Sequence, residues 1–255
     1  MKRALAILLA AGVLAVPGVA RADAVTVAAA ADVRYALDEI VSAFHQRHSS
    51  AEVKVTYGAS GTFFAQISSG APFDLFFSAD EGYPRQLVDS GRAVAESLTV
   101  YGVGRLVLWV PKDSPLDLGQ GLASLRDPRA RRIAIANPAH APYGRAAEAA
   151  LRASGVYAAV LERLVVGESA AQAAQFVESG NADAALLPLA LAMAPALSRA
   201  GRYVIVPAAL YPPLRQAVVV TERARGNVAA AAFLRFVVGP EGRAILERWG
   251  FGAGR

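Results

Sequence analysis

The sequence predicts an α/β fold with mostly parallel strands, on three observations. Short strand-like apolar runs alternate with helix-like segments along the chain, from "AVTVAAA" to the last helix "NVAAAAFLRFVV". One of the runs, "AALLPLALA", has the unbroken apolar character of a buried strand. The chain has 255 residues, 55% of them hydrophobic, enough to bury the cores of two lobes of ordinary domain size.

The elements follow in order. "MKRALAILLAAGVLAVPGVARADA" has a basic start at Lys2 and Arg3, an apolar run from Ala4 to Ala20, and small residues at Ala20 and Ala22. This pattern predicts a secretory signal peptide over residues 1–24, removed after export to the periplasm. Gly12, Pro17 and Gly18 interrupt the run and argue against an uncleaved anchor, and no cysteine follows to carry a lipid. "AVTVAAA" then reads as a strand, and "VRYALDEIVSAFHQRH", apolar at 33, 36, 37, 40, 41 and 44, as a helix. "AEVKVTYGAS", "GTFFAQISSG" and "FDLFFSAD" continue as strand, helix and strand. "GRLVLWVP" and "RRIAIANP" are strands, and "YGRAAEAALRASG" is a helix ending at Gly155. "ESAAQAAQFVESGNA" is a helix leading into the "AALLPLALA" strand. "YVIVP" and "RQAVVVT" are strands, and the helix that follows them stops at Gly239-Pro240. No internal repeat is visible.

Composition removes several function classes. The absence of cysteine excludes disulfides, thiolate metal sites and thiol nucleophiles. The formal charge of +5 falls to +3 beyond residue 24, because Lys2, Arg3 and Arg21 against Asp23 account for two of the five charges. The remaining basic residues are scattered, apart from "RDPRARR" at 126–132, and are not interleaved with aromatics, so no nucleic-acid partner is expected. His45, His48 and His140 lack acids at triad or zinc spacing, and "YGASGTF" is not a nucleophile elbow. No catalytic residue, metal or cofactor is expected, and the chain is read as a binding protein rather than an enzyme.

In an open α/β sheet, ligands sit beyond the C-terminal ends of strands, where the next helix begins. Four such turns here offer small residues and unpaired N–H groups: Asp32 after the first strand, Ser60 in "YGASGTFF", Tyr143 after Pro142 in "AHAPYGRAA", and Ala170 in "ESAAQ". Each alone reads as an ordinary capped helix. Together they suggest a small anion held by neutral dipoles.

The quoted turns resemble the periplasmic molybdate-binding proteins of molybdate ABC transporters, the ModA family. The similarity is carried by "VTVAAAADVRYALDEIVSAF", "YGASGTFFAQISSGAPFDLFFSAD", "NPAHAPYGRAAEAAL", "ESAAQAAQFVESGNAD" and "FLRFVVGPEGRAILERWGF", with "GAPFDLFFSAD" the most specific. It implies a two-lobed type II periplasmic binding fold, each lobe a sheet flanked by helices, with molybdate or tungstate clamped in the cleft by hydroxyls and backbone N–H groups. It further implies a monomer that serves the membrane permease of an ABC importer. The crossings between lobes are expected near Gly102–Arg105 and near Pro212–Gln216, giving lobe I as 25–103 and 214–255 and lobe II as 104–213. Ser60 carries over as a hydroxyl donor, and Tyr143 and Ala170 as backbone donors, where side-chain identity should matter little. Two positions depart from the family: Asp32 stands where well-known members have a serine, and Pro188 where they have a tyrosine.

A carboxylate about 4 Å from a dianion would be repelled by roughly 8 kcal/mol at an effective dielectric near 20. Asp32 must therefore turn away and cap its helix, be neutralised by a cation such as Arg34, or accept a proton from a ligand that carries one. Asp32 as a helix cap is the expectation adopted, with molybdate affinity flat between pH 6 and 8. The alternatives retained are a receptor for a protonated, phosphate-like oxyanion and a periplasmic hydrolase acting through Ser60.

Overall fold

The computed structural model describes residues 24–254 and contains two five-stranded sheets; the predicted signal peptide lies almost wholly outside the described residues. The first sheet has the strand order β2-β1-β3-β10-β4, built from β1 (Ala24–Ala30), β2 (Glu52–Gly58), β3 (Leu75–Ser78), β4 (Thr99–Gly104) and β10 (Leu214–Val220). The second has the order β7-β6-β8-β5-β9, from β5 (Leu106–Pro111), β6 (Ile133–Ala136), β7 (Leu164–Gly167), β8 (Ala184–Pro188) and β9 (Gly201–Ile205). Each sheet is mixed. β1 pairs in parallel with β2 and β3, and β6 with β7 and β8, whereas β10 and β5 run antiparallel to both their neighbours.

Strand residues divide with period two between the faces of their sheets, because successive side chains point to opposite sides. Val25, Val27 and Ala29 enter one core and Ala28 another. Leu106, Leu108 and Val110 enter a third, and Val107 and Trp109 a fourth. The helices cover these faces. Around the first sheet lie α1 (Arg34–Arg47), α2 (Ser60–Ser68), α3 (Gly82–Asp89), α9 (Val228–Val238) and α10 (Pro240–Arg248). The second carries α4 (Pro142–Ala153), α5 (Tyr157–Val160), α6 (Ala170–Glu178), α7 (Leu189–Ala192) and α8 (Pro195–Ala200). The buried residues of α1, Ala36, Leu37, Ile40 and Phe44, repeat at helical spacing and face the core beside β1.

Local chemistry sets the ends of the elements. Pro142 opens α4, where a missing N–H costs nothing, and Gly155 beyond its end takes φ +69°, a left-handed conformation suited to glycine. Asn227 caps α9 by accepting from the Ala230 N–H at 3.1 Å. The run "AALLPLALA" is not one strand. β8 ends at Pro188, opposite Leu106 at the start of β5, and Leu189–Ala192 turn into α7. Proline offers no N–H to extend the ladder, and the apolar residues after it are buried as helix instead.

The chain passes from one sheet to the other at Arg105, the single residue between β4 and β5. It returns through residues 206–213, between β9 and β10. Gly104 pairs with Leu214, so the two passages lie side by side.

Candidate functional site

Strands β1, β2, β6 and β7 all point their C-terminal ends into the space between the sheets, and each is followed there by a helix start. Asp32, Ser60, Tyr143 and Ala170 line one narrow cleft there, together with Ala30, Ala31, Gly58, Ala59, Ala79, Ala141 and Pro142. About 210 Å³ of space free of protein atoms, part of it open to solvent, lies between these residues, and none of them is cationic.

Each donor can be traced to its backbone. Ser60 begins α2 and is 1% exposed; its Oγ accepts from the Ala79 N–H at 3.0 Å, which leaves the hydroxyl hydrogen to donate elsewhere. Tyr143 is the second residue of α4 and Ala170 the first of α6, positions whose N–H groups have no acceptor within their own helix. Ser169 caps α6 by accepting from the Gln172 N–H at 3.4 Å, which holds the Ala170 N–H at the helix mouth.

The capping expectation for Asp32 is overturned. Asp32 lies in a turn of 3-10 helix at Ala31–Val33, and neither that turn nor α1 has a side-chain cap. Its carboxyl is 1% exposed, and Oδ2 accepts from Gln216 Nε2 at 2.5 Å. The alternative of neutralisation by Arg34 is not realised either: Arg34 pairs with Asp38 at 3.9 Å and lies over the ring of Tyr57. The reason is positional. The turn aims the side chain at β10, where the buried Gln216 amide faces it. Burial raises the Asp32 carboxyl to about 6, opposed in part by hydrogen bonds from Gln216 and Tyr143 and by nearby backbone N–H groups.

Sequence reasoning missed Gln216, which is fully buried and organises this region. Its Oε1 accepts from the Tyr101 hydroxyl at 2.5 Å, and its Nε2 donates both to Asp32 and to the Tyr143 hydroxyl, the latter at 3.1 Å. The Tyr143 side chain therefore does matter: its phenol is buried, and burial with the neighbouring Asp32 charge pushes it well above its ordinary pKa. Gly104 is required beside it, since a Cβ there would lie 2.1 Å from the Tyr143 hydroxyl and 2.6 Å from Gln216 Nε2. The available signal was the polar residue inside the apolar run "RQAVVVT". Pro188 supplies no donor to the cleft and is not among its lining residues.

Three contacts hold the cleft walls together. The Gly61 N–H donates to the His140 carbonyl at 2.8 Å. Arg145 of α4 forms an ion pair with Asp80 beyond β3 and donates to the Tyr83 hydroxyl at 3.2 Å. Its guanidinium lies 5.4 Å from the centroid of the Tyr83 ring.

Residues 25–252 match the family model for bacterial extracellular solute-binding proteins. The chain is 37% identical to the molybdate-binding protein ModA of Azotobacter vinelandii over 97% of its own length and 96% of the relative's. The chain belongs to the ModA family. To ModA of Rhodobacter capsulatus it is 35% identical, over 93% of this chain and 91% of that one. The solved structure of the Azotobacter vinelandii periplasmic molybdate-binding protein superimposes with a TM-score of 0.84 at 33% identity, covering 91% of this chain and all of that one. The sulfate-binding protein SubI of Mycobacterium tuberculosis shares the fold at a TM-score of 0.71 with 18% identity. ModA proteins bind solutes and are not enzymes, which sets aside the hydrolase reading of Ser60. Among the described residues, no group of His, Asp and Glu could hold a metal ion, and no helix is long and apolar enough to cross a membrane.

Proposed function

We propose that this chain is an exported periplasmic receptor that binds a tetrahedral oxyanion and hands it to the permease of an ABC importer. Molybdate is the leading ligand and tungstate, of the same shape and charge, the second. The observation that carries the reading is the convergence of the Ser60 hydroxyl and the N-terminal N–H groups of α4 and α6 on one cleft without a cationic lining. Neutral donors of this kind match a dianion whose charge is spread over four oxygens, and helix starts add a favourable dipole. The Azotobacter and Rhodobacter relatives, both molybdate-binding proteins, support the same ligand. In this reading Asp32, Ser60, Tyr143 and Ala170 contact the anion, residues 25–103 with 214–255 form lobe I, residues 104–213 form lobe II, and the protein works as a monomer.

The buried carboxyl of Asp32 favours a second reading, a protonated phosphate-like anion that donates its proton to the site. Calorimetry of the ligand-free protein against molybdate, tungstate, sulfate, phosphate and chromate separates the two. Micromolar or tighter binding of molybdate and tungstate is expected, with sulfate and phosphate weaker. If none of the five binds at micromolar levels, the receptor reading fails.

A further inference from the structure

Asp32 is a buried acid on the wall of a cleft that is otherwise built from neutral donors. Among the described residues, none of the ion pairs includes it. Arg34 pairs with Asp38, Arg145 of α4 with Asp80, and Arg215 of β10 with Glu81. The groups that face it are an amide and phenols: Gln216 from β10, Tyr143 from α4 and, through Gln216, Tyr101 from β4. Tyr211, in the passage between β9 and β10, lies close enough to act on Tyr143, and its hydroxyl oxygen accepts from the Leu106 N–H at 3.1 Å. Asp80 adds a second negative charge near Tyr101. As a carboxylate, Asp32 would oppose any dianion in this cleft. As an acid, it carries an O–H donor.

We infer, resting on the oxyanion reading above, that Asp32 is the proton-linked specificity residue of this cleft: the anion binds together with one proton from solvent, which resides on Asp32 and makes its carboxyl a donor to the bound oxygen. Gln216 Nε2 occupies Oδ2 as an acceptor. A proton on Oδ1 would leave that contact intact, and on this inference its O–H is the donor to an oxygen of the anion. The phenols and amide around the carboxyl can orient either protonation state, but they supply no positive charge. Burial already raises the group to about 6, so the proton is gained at small cost near neutral pH. The acid thus selects a fully deprotonated oxyanion that can only accept, and the site discriminates by pH as well as by shape.

The test is calorimetric titration of the full protein with molybdate from pH 5.5 to 8.5, repeated at pH 8 in buffers of different ionisation enthalpy. Affinity should be nearly constant below about pH 6 and fall close to tenfold per unit above it, with about one proton taken up per molybdate at pH 8. Asp32→Asn, which donates through an amide and cannot titrate, should give a flat profile, no proton uptake, and about a hundredfold tighter binding than wild type at pH 8. Tight binding by the wild type with a flat profile and no proton uptake would overturn the inference while leaving the receptor reading intact. Absence of molybdate binding across the whole range would remove the inference, and the receptor reading falls with it only if tungstate, sulfate, phosphate and chromate also fail to bind. Phosphate binding preferred at pH 8 without proton uptake would place the proton on the ligand and not on Asp32. The proton count is made on wild type, so a poorly folding variant does not prevent a decision.

Discussion

Single side chains decide what this cleft can hold. Ser60 is both a support and a donor: Ser60→Ala would leave the buried Ala79 N–H without its acceptor and remove the hydroxyl from the cleft. We expect molybdate affinity to fall by about 1.5–3 kcal/mol, the usual weight of a hydrogen bond to a charged group, measured by calorimetry. An unchanged affinity would mean that the hydroxyl does not touch the anion. Asp32 has a second consequence, for folding. Because its carboxyl is raised from 3.8 to about 6 in the native protein, the native state keeps a proton that the unfolded chain has released. That contribution is fully present below about pH 4 and is lost as the pH rises through about 6. The ligand-free Asp32→Asn variant should therefore gain stability over wild type between these values, on the order of 3 kcal/mol, and hold the gain above them. Thermal unfolding curves that stay parallel from pH 4 to 7 would contradict this. The identities at Asp32, Ser60, Tyr143 and Ala170 were legible in the sequence because each follows a strand at a helix start. The direction of the Asp32 side chain was not, because its partner Gln216 lies 184 residues away.

At the scale of elements, helix starts and glycines place the donors. Gly61 follows Ser60 in α2 and is wedged between its own side and the opposite wall: a Cβ would lie 2.7 Å from the Tyr83 hydroxyl of α3 and 2.9 Å from the His140 carbonyl oxygen across the cleft. Gly61→Ala should weaken molybdate binding at least tenfold by holding the walls apart, while leaving the secondary structure intact by circular dichroism. Wild-type affinity in this variant would show that the close approach is dispensable. Asn227 tests a cap remote from the cleft. Asn227→Ala should cost about 1 kcal/mol in urea unfolding and leave ligand affinity unchanged, since it removes only the acceptor for the Ala230 N–H. Most elements could be read from apolar spacing and punctuation, including α4 from Pro142 to its stop before Gly155 and α9 up to Gly239. The exception, "AALLPLALA", has no polar residue to mark where β8 becomes α7. Only the end of the β5–β8 ladder at Pro188 determines that boundary.

For the whole molecule, the relevant property is the relation between the two sheets, which among the described residues the chain itself links through Arg105 and residues 206–213. If these two adjacent passages act as a hinge, a ligand bridging α2 with α4 and α6 would favour a closed arrangement. Small-angle scattering should show compaction on adding molybdate, and identical profiles at saturation would exclude closure. Arg145 bridges the walls through Asp80 and Tyr83, so Arg145→Ala should speed ligand release several-fold in stopped-flow measurements with a smaller effect on the association rate. An unchanged release rate would show that this contact does not restrain opening.

The sequence by itself determined the α/β rhythm, the absence of thiol chemistry, the family, and the four turns that line the cleft. Those features are local: hydrophobic period, capping residues, glycine and proline positions, and short motifs each act within about a dozen residues. Tertiary structure decided that half the strand pairings are antiparallel, that the Tyr143 hydroxyl is buried against Gln216, and that Asp32 meets Gln216 instead of capping its helix. Each of these depends on contacts between segments far apart in the chain. A carboxyl at a helix start has two available partners, its own N–H groups and whatever the fold brings opposite. Here β10 brings a buried amide, and that long-range placement settles the chemistry of the site.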